Sequence, residues 1–337
     1  SKTDDPLNYR VLMIQPTVVR RWASHRLHDL EPWTEKWALS EMYAGVGSQG
    51  AEDAWYSMAI QFGYLKLNGT QYTRGTVDIS KCFDQINREL IKQIATEAGM
   101  PTHILDAYVR YQDQLSVHNS VAGGIGKGFK RKTGMPQGCP FSMMFMALEL
   151  RPWIIMQKLD GNFPKTLADD ILLITKGGKD MMGRFAKGLN ATHEYLIDMG
   201  AKIAPDKTIN FASTEHGKDW RTKTFWKKLN AGIEVVEHFR YLGAHMNVTG
   251  KNNSATLTKR FKNGIAMLKR VAKLPVSRAH KAMVIRVKIF AATLYGSEVA
   301  QPTEKDIAAF AAATAHAVAN KTAHHYINNF CHLLKRY

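Results

Sequence analysis

Residues 166–175 read TLADDILLIT, a short apolar segment with two adjacent carboxylates in its middle. Polar and apolar residues alternate before the acidic pair, and a continuous apolar run follows it. This pattern is typical of two β-strands joined by a tight turn. The turn would present Asp169 and Asp170 where the chain is otherwise built for burial. Since buried carboxylates need a partner or a metal ion, the pair indicates either a metal site or a solvated turn.

A third carboxylate, Asp78, lies at the end of a short strand predicted over 76–79, before a helix predicted over about 84–98. An aspartate that leaves a strand is most often a turn residue, and Asp84 is most simply the N-cap of the helix. Together with the acidic pair, Asp78 makes a set of three hard oxygen donors suited to Mg²⁺. Two such ions, roughly 3.5 to 4 Å apart, would support a phosphoryl transfer.

A loop rich in glycine and proline precedes another helix, and residues 134–142 read GMPQGCPFS. Its glycines allow the backbone to approach a planar ligand closely, and Gln137 offers both a donor and an acceptor. Taken alone, such a loop is usually a connection. The helix is predicted to begin at Pro140 and to continue to about Leu159.

The remaining segments predict a mixed architecture. The spacing of their apolar residues indicates helices over 17–40 and 178–199 and a hairpin over 232–247. From Ser254 onward it indicates a mostly helical chain. Helices interleaved with hairpins and followed by a helical tail predict an α+β core with an all-α appendage.

The chain of 337 residues is strongly basic, because 46 Lys and Arg stand against 29 acidic residues, for a net charge of +17. This balance favours a polyanionic partner, with nucleic acid as the leading class. No acidic residue occurs between Glu237 and Glu298, or between Asp113 and Glu149. One basic run is most simply a solvated helix face, but two long acid-free windows favour phosphate contacts along a surface.

Several other classes of protein are excluded. No apolar run approaches the roughly 18 residues of a spanning helix, so no membrane partner is expected. Cys82, Cys139 and Cys331 are too scattered for a disulfide framework or a zinc cluster, and they predict reduced thiols in the cytoplasm or nucleus. The chain begins at Ser1 without a signal-like segment, so we expect it to be part of a longer protein whose targeting sequence is missing.

In sequence order, these motifs resemble those of the reverse transcriptases, in particular the enzymes of non-LTR retrotransposons and the related group II intron lineage. The resemblance covers most of residues 9–247. The matching segments are 9–12, 44–48, 78–83, 136–142, 167–170, 204–208 and 239–243. In addition, residues 294–298 (LYGSE) resemble a segment that follows the polymerase core in non-LTR enzymes.

The resemblance implies a right-hand polymerase fold of class α+β, with fingers, a palm made of an antiparallel sheet backed by helices, and a helical thumb. The fingers are expected over 1–75 and to be incomplete at the N-terminus. The palm is expected over 76–248, with a fingers-like insertion around 110–135 and a primer-grip hairpin at 232–247. A basic helical thumb is expected over 249–337.

The implied activity is that of an RNA-directed DNA polymerase, a nucleotidyltransferase that extends a primer 3′-hydroxyl with dNTPs. Asp78 and Asp169 would bind two Mg²⁺ ions, for which Mn²⁺ could substitute. Asp170 would support these ions, and the backbone carbonyl of Ile79 would be a further ligand. The implied partners are an RNA template, a DNA primer or RNA–DNA duplex, and dNTPs.

Further roles are implied for residues that would face the nucleotide or the nucleic acid. The Phe83 ring would exclude the ribose 2′-hydroxyl and so reject rNTPs. The implied nucleotide-binding set is Arg10, Arg20, Phe83, Gln137 and Lys207, and the implied primer grip is Tyr241, Leu242 and Gly243. Backbone phosphates would be held by Lys259, Arg260, Lys262, Lys269, Arg270 and Lys273.

The sequence departs from the family pattern at two positions. Leu167 replaces the usual aromatic residue of the catalytic box, and Val11 replaces a common proline, but neither change removes a metal ligand. Two alternative functions stay open: a maturase-like or domesticated RNA-binding protein without polymerase activity, and an RNA-templated RNA polymerase. The intact three-carboxylate set argues against the first alternative, and Phe83 argues against the second.

Overall fold

The computed structural model describes residues 13–121, 123–178, 180–204, 207–223, 225–226, 231–247 and 255–318. The helices are α1 (Thr17–Asp29), α2 (Glu31–Trp37), α3 (Ala51–Leu67), α4 (Cys82–Gln85), α5 (Arg88–Glu97), α6 (Thr102–Gln114), α7 (Phe141–Leu159), α8 (Met181–Asp198), α9 (Glu215–Lys223), α10 (Ala255–Ala272), α11 (Arg278–Val284), α12 (Ala291–Leu294) and α13 (Glu304–Val318). A π-helical segment, Ile285–Phe290, connects α11 to α12.

The strands are mostly short. They are β1 (Tyr72–Ser80), β2 (Ser116–Val117), β3 (Ser120–Val121), β4 (Gly124–Ile125), β5 (Phe129–Lys130), β6 (Phe163–Leu167), β7 (Asp170–Lys176), β8 (Lys202–Ile203), β9 (Ile209–Ala212), β10 (Phe225–Trp226), β11 (Ala231–Gly232), β12 (Glu234–Val235), β13 (His238–Tyr241) and β14 (Ala244–Asn247).

The described chain divides into two compact units. The first contains the described parts of Ser1–Ala54 and Leu65–Val236, and the second contains those of Trp55–Tyr64 and Glu237–Tyr337. Most of the residues predicted as fingers and palm belong to the first unit, but Trp55–Tyr64 and the β13–β14 hairpin belong to the second unit with the helical region. None of the helices in the described ranges is long and apolar enough to cross a membrane.

A six-stranded sheet forms the centre of the first unit, with strand order β12-β9-β1-β7-β6 and with β8 paired to the end of β1. All pairs are antiparallel except β12 with β9. The strand β7 is buried along Ile171–Thr175, as its continuous apolar run predicts. The expected antiparallel sheet is confirmed, with a single parallel pair at one edge.

Two long helices cover this sheet: α7 packs on β6, and α8 packs on β7 and β1. A buried hydrogen-bond network joins these helices to β7. Trp153 Nε1 donates to Thr192 Oγ1 at 3.0 Å, and Asn162 Nδ2 donates to Gln157 Oε1 at 2.8 Å. The Thr175 hydroxyl donates to Asn162 Oδ1 at 2.6 Å. The network therefore fixes the positions of the two helices relative to β7.

Two of the predicted elements have different boundaries. The helix predicted over 84–98 divides into α4 and α5, because the Asn87 side chain caps a new helix by accepting from the Glu89 backbone N–H at 3.0 Å. Asp84 is therefore not a helix cap. The hairpin predicted over 232–247 is shorter and begins at His238, because β12 joins the main sheet beside β9 instead.

The second unit has its own apolar core. Along α10, Leu257, Phe261, Leu268 and Val271 are buried at helical spacing and pack with Phe310 and other core residues. The predicted break near Pro275 separates α10 from α11. The predicted start at Thr303 is also confirmed, because its hydroxyl accepts from the Asp306 backbone N–H at 3.1 Å.

Candidate active site

The register of the central sheet brings two carboxylates to facing positions. Asp78 near the end of β1 is the Cα partner of Asp170, the first residue of β7. Leu167 pairs with Asp170 across the hairpin, so Ala168 and Asp169 form its two-residue turn. Ala168 has a φ of 53°, in the left-handed region that costs a non-glycine residue about 1 kcal/mol. The turn predicted from the sequence is confirmed.

The acidic residues lie close enough to influence one another. Burial, followed by the charges of Asp169 and Asp78, raises the pKa of Asp170 to about 6. The Asp78 carboxylate contacts Lys207, with a distance of 3.2 Å between Oδ2 and Nζ. Negative charge is thus concentrated at the end of β1 and partly balanced by a lysine from the segment after β8.

Asp78, Asp169 and Lys207 line an open cleft with a volume of about 520 Å³ in the first unit. Four of the sequence motifs meet in it. Its walls include Asp78, Phe83, Gln137, Ser142, Asp169 and Lys207. Ile79, whose carbonyl was expected to be a metal ligand, is a buried residue of β1 and also lines the cleft.

Backbone hydrogen bonds fix the loop 134–142 against the segment that follows β1. Met135 N–H donates to the Phe83 carbonyl at 2.7 Å, and Gly134 N–H donates to the Ile86 carbonyl at 2.8 Å. Gly134 has a φ of 80°, and a Cβ atom there would lie 2.8 Å from the Phe83 carbonyl oxygen. Only glycine allows this close approach, which places Gln137 beside the end of β1.

Asp84 connects the same two motifs through its side chain. Its Oδ1 accepts from Arg131 Nη2 at 3.0 Å, and its Oδ2 accepts from Gln137 Nε2 at 3.4 Å. The carboxylate thereby orients the Gln137 amide and forms an ion pair with Arg131, which follows β5. Sequence reasoning missed this contact, because Asp84 and Gln137 are 53 positions apart.

The donor chemistry of this cleft fits a divalent metal ion. Carboxylate oxygens are the ligands that Mg²⁺ prefers, and mutual repulsion among the acids, visible in the pKa of Asp170, would be relieved by a cation. Among the described residues, no group of three or more His, Cys, Asp or Glu is already arranged around one point as metal ligands are. In this structure the Asp78 carboxylate is oriented toward Lys207.

Some of the expected site residues do not lie in the cleft. Arg20 is an exposed residue of α1, and its guanidinium contacts the hydroxyl of Thr17 at 3.5 Å. Arg10 lies outside the described residues, as do Pro205 and Asp206 of the lysine-bearing motif.

The remaining expected residues belong to the second unit. Tyr241 ends β13, and Leu242 and Gly243, with φ values of 46° and 90°, form the two-residue turn to β14. Lys259, Lys262, Lys269 and Arg270 are exposed and fall within about 100° of one another around α10. Lys273 is exposed just beyond the helix, whereas Arg260 is half-buried and lies off this face.

An antiparallel sheet that carries facing aspartates on its central strands, with helices packed behind it, defines the palm of a right-hand nucleic-acid polymerase. More narrowly, the chain belongs to the reverse transcriptase (RNA-dependent DNA polymerase) family, whose model matches residues 4–246. The predictions of this family and of the right-hand fold are confirmed. Reverse transcriptase domains depend on divalent metal ions, in agreement with the carboxylate-lined cleft.

Several solved structures are similar to this chain. A telomerase from Candida tropicalis is 13% identical with a TM-score of 0.46, and the match covers 94% of this chain and 54% of the telomerase. A telomerase from Candida albicans with a fragment of telomeric RNA is 13% identical with a TM-score of 0.42. That match covers 95% of this chain and 54% of the telomerase. The chain thus spans about half the length of these structures. None of the curated proteins matches it significantly.

Proposed function

We propose that this chain is the polymerase core of a reverse transcriptase of the non-LTR retrotransposon type, and that it extends a DNA primer on an RNA template. The observation that carries the proposal is the facing register of Asp78 and Asp170, with Asp169 in the same cleft of a reverse transcriptase family member. The lineage rests on the ordered motifs of residues 9–247 and on the segment at 294–298.

In this proposal, Asp78 and Asp169 would hold two Mg²⁺ ions, and Asp170 and the Ile79 carbonyl would support them. When bound, such ions activate the attacking hydroxyl and stabilise the leaving oxygen of a phosphoryl transfer. The primer 3′-hydroxyl would lose its proton to solvent water and form a bond to the α-phosphorus of the dNTP, while the bond from that phosphorus to the bridging oxygen breaks and pyrophosphate leaves. Lys207, which contacts Asp78 at 3.2 Å, is positioned to balance charge on the triphosphate.

Nucleotide selection is assigned to Phe83 and Gln137, which also line the cleft. The Phe83 ring would meet a ribose 2′-hydroxyl and so exclude rNTPs. Gln137 would contact the incoming nucleotide with its amide held by Asp84, whose carboxylate accepts from it at 3.4 Å. No nucleotide role is assigned to Arg20, because it does not line the cleft.

The nucleic-acid contacts are assigned to the second unit. Tyr241, Leu242 and Gly243 would support the primer strand. The exposed basic face of α10 would contact duplex phosphates without reading their sequence. In family terms, the first unit would hold most of the fingers and palm, and the helices of the second unit from Ala255 onward would be the thumb.

Primer extension on an RNA template with Mg²⁺ tests this function, comparing the unmodified chain with Asp169→Asn. We expect dNTP incorporation by the unmodified chain and a loss of roughly 10³-fold in the variant, since a lost metal ligand removes about 4 kcal/mol of transition-state stabilisation. The matched control is Asp106→Asn, which makes the same change at an exposed position of α6 and should leave the rate unchanged.

Other outcomes separate the alternative functions. Tight, salt-sensitive RNA binding without extension by any chain would replace the polymerase with an RNA-binding protein of the same fold. Extension with rNTPs in preference to dNTPs would contradict the role given to Phe83 and favour an RNA polymerase.

A further inference from the structure

The turn between β13 and β14 is held by side chains from outside the hairpin. Leu242 and Gly243 both have positive φ, as in a type I′ turn, where Asn-Gly is the preferred pair. Leucine in this conformation costs about 1 kcal/mol, so the turn depends on outside contacts for its shape. Those contacts are made through the backbone carbonyls of both turn residues.

Two consecutive hydrogen bonds connect the Leu242 carbonyl to the buried Trp55 side chain through Tyr295. Tyr295 Oη donates to the Leu242 carbonyl at 3.0 Å, and Trp55 Nε1 donates to Tyr295 Oη, also at 3.0 Å. The Trp55 and Tyr295 rings meet edge to face, with centroids 5.9 Å apart. A hydroxyl is required here, because the same oxygen accepts one hydrogen bond and donates another.

The second carbonyl is held by Arg260. Its Nη2 donates to the Gly243 carbonyl at 2.7 Å, and its Nη1 donates to the Tyr295 carbonyl. The guanidinium carbon lies 5.3 Å from the centroid of the Tyr295 ring. A Cβ atom on Gly243 would be 3.0 Å from Tyr295 Cε1, so the turn is packed directly against this ring.

We propose that Trp55, Tyr295 and Arg260 are positioning residues that fix the Tyr241–Gly243 turn and thereby the primer terminus. The proposal rests on the proposed function, in which this turn supports the primer. It gives a role to the LYGSE segment, whose tyrosine is the centre of the network, and it replaces the expected phosphate contact of Arg260 with carbonyl contacts. A primer terminus displaced by about 1 Å loses rate, because attack requires close alignment.

Pre-steady-state primer extension by Tyr295→Phe, with primer–template in excess over enzyme, tests the proposal. This variant keeps the ring but removes the hydroxyl between Trp55 and Leu242. We expect the rate constant of nucleotide addition to fall roughly 10-fold, with the dNTP concentration dependence and the burst amplitude unchanged. Loss of folded protein alone would lower the amplitude and leave the rate constant intact. The matched control is Tyr56→Phe, the same change at a residue that is 51% exposed on α3.

A double variant shows whether these residues act as one unit. Trp55→Phe should also slow addition, and Trp55→Phe with Tyr295→Phe should be no slower than Tyr295→Phe alone, because both act through one hydroxyl. An unchanged rate constant in Tyr295→Phe, a change confined to the amplitude, or additive effects in the double variant would overturn the proposal.

Two further outcomes are also decisive. If Tyr295→Phe does not fold, Arg260→Lys takes its place, since lysine cannot bridge two carbonyls as a guanidinium does. A reduced rate constant in Arg260→Lys supports the positioning role, and an unchanged one overturns it. If the unmodified chain itself adds no nucleotide, the proposed function fails, and the positioning role fails with it.

Discussion

Glu149 of α7 is a buried carboxyl group whose titration affects the stability of the folded chain. Its side chain is 1% exposed, and neither carboxylate oxygen has a hydrogen-bond partner within the described ranges. Burial raises the pKa of Glu149 to about 8. The group is therefore protonated at neutral pH, in contrast to an ordinary surface glutamate.

This pKa predicts how stability depends on pH. The folded chain holds the Glu149 proton more tightly than the unfolded chain, so the free energy of unfolding falls as pH rises from about 4.5 to about 8. Glu149→Gln cannot titrate, so its stability relative to the unmodified chain should rise across that window by up to about 1.4 kcal/mol per pH unit. Urea unfolding at pH 5, 6, 7 and 8 measures the difference.

Glu97→Gln is the control, because Glu97 is exposed on α5. This substitution should leave the dependence of unfolding free energy on pH unchanged. Parallel profiles for Glu149→Gln and the unmodified chain would contradict the raised pKa of Glu149.

At the scale of elements, the packing of α10 on its neighbours depends on the absence of a side chain at Gly264. A Cβ atom there would lie 2.3 Å from Thr293 Oγ1 and 2.9 Å from Phe310 Cε2. Gly264→Ala should therefore lower the free energy of unfolding by about 1–3 kcal/mol, although alanine is the better helix former by about 1 kcal/mol. Thermal or urea unfolding checks this.

The same substitution at Gly63 is the matched control. Gly63 lies within α3, and a Cβ atom added there would meet no described neighbour within 4 Å, so Gly63→Ala should stabilise the chain through helix propensity alone. Opposite signs for the two variants are the expected result. A stabilising Gly264→Ala would show that α10 packs less closely on Thr293 and Phe310.

For the whole molecule, we expect the location of positive charge to govern nucleic-acid affinity more than the net charge of +17 does. Lys262→Gln with Lys269→Gln removes two charges from the exposed basic face of α10. We expect weaker binding to an RNA–DNA duplex, with the slope of log K against log salt reduced by roughly two, because two phosphate contacts are lost. A binding titration at several salt concentrations measures the slope.

Lys36→Gln with Lys92→Gln makes the same change in net charge at exposed positions of α2 and α5. This control should keep the original salt slope. Equal slopes for the two double variants would show that overall charge, and not the α10 face, governs binding.

Elements with a strong local pattern could be predicted from the sequence. The acidic hairpin is one, because its apolar strands and turn are adjacent in the chain, and α7 is another, because Pro140 and a long apolar run mark its start and length. The division of α4 from α5 depends on one side-chain cap at Asn87, which the apolar periodicity did not reveal. The edge strand β12 has only two residues, too few for a pattern.

The sequence by itself determined the chemistry of this protein: which carboxylates, glycines and basic residues are present, and the order of motifs that identifies a reverse transcriptase. Only the tertiary structure decided which of them meet. Asp78 faces Asp170 through strand register, Asp84 orients Gln137, and Trp55 reaches Tyr295 across 240 positions of chain. Contacts of this kind arise from the packing of distant elements, and no local preference of the chain encodes them.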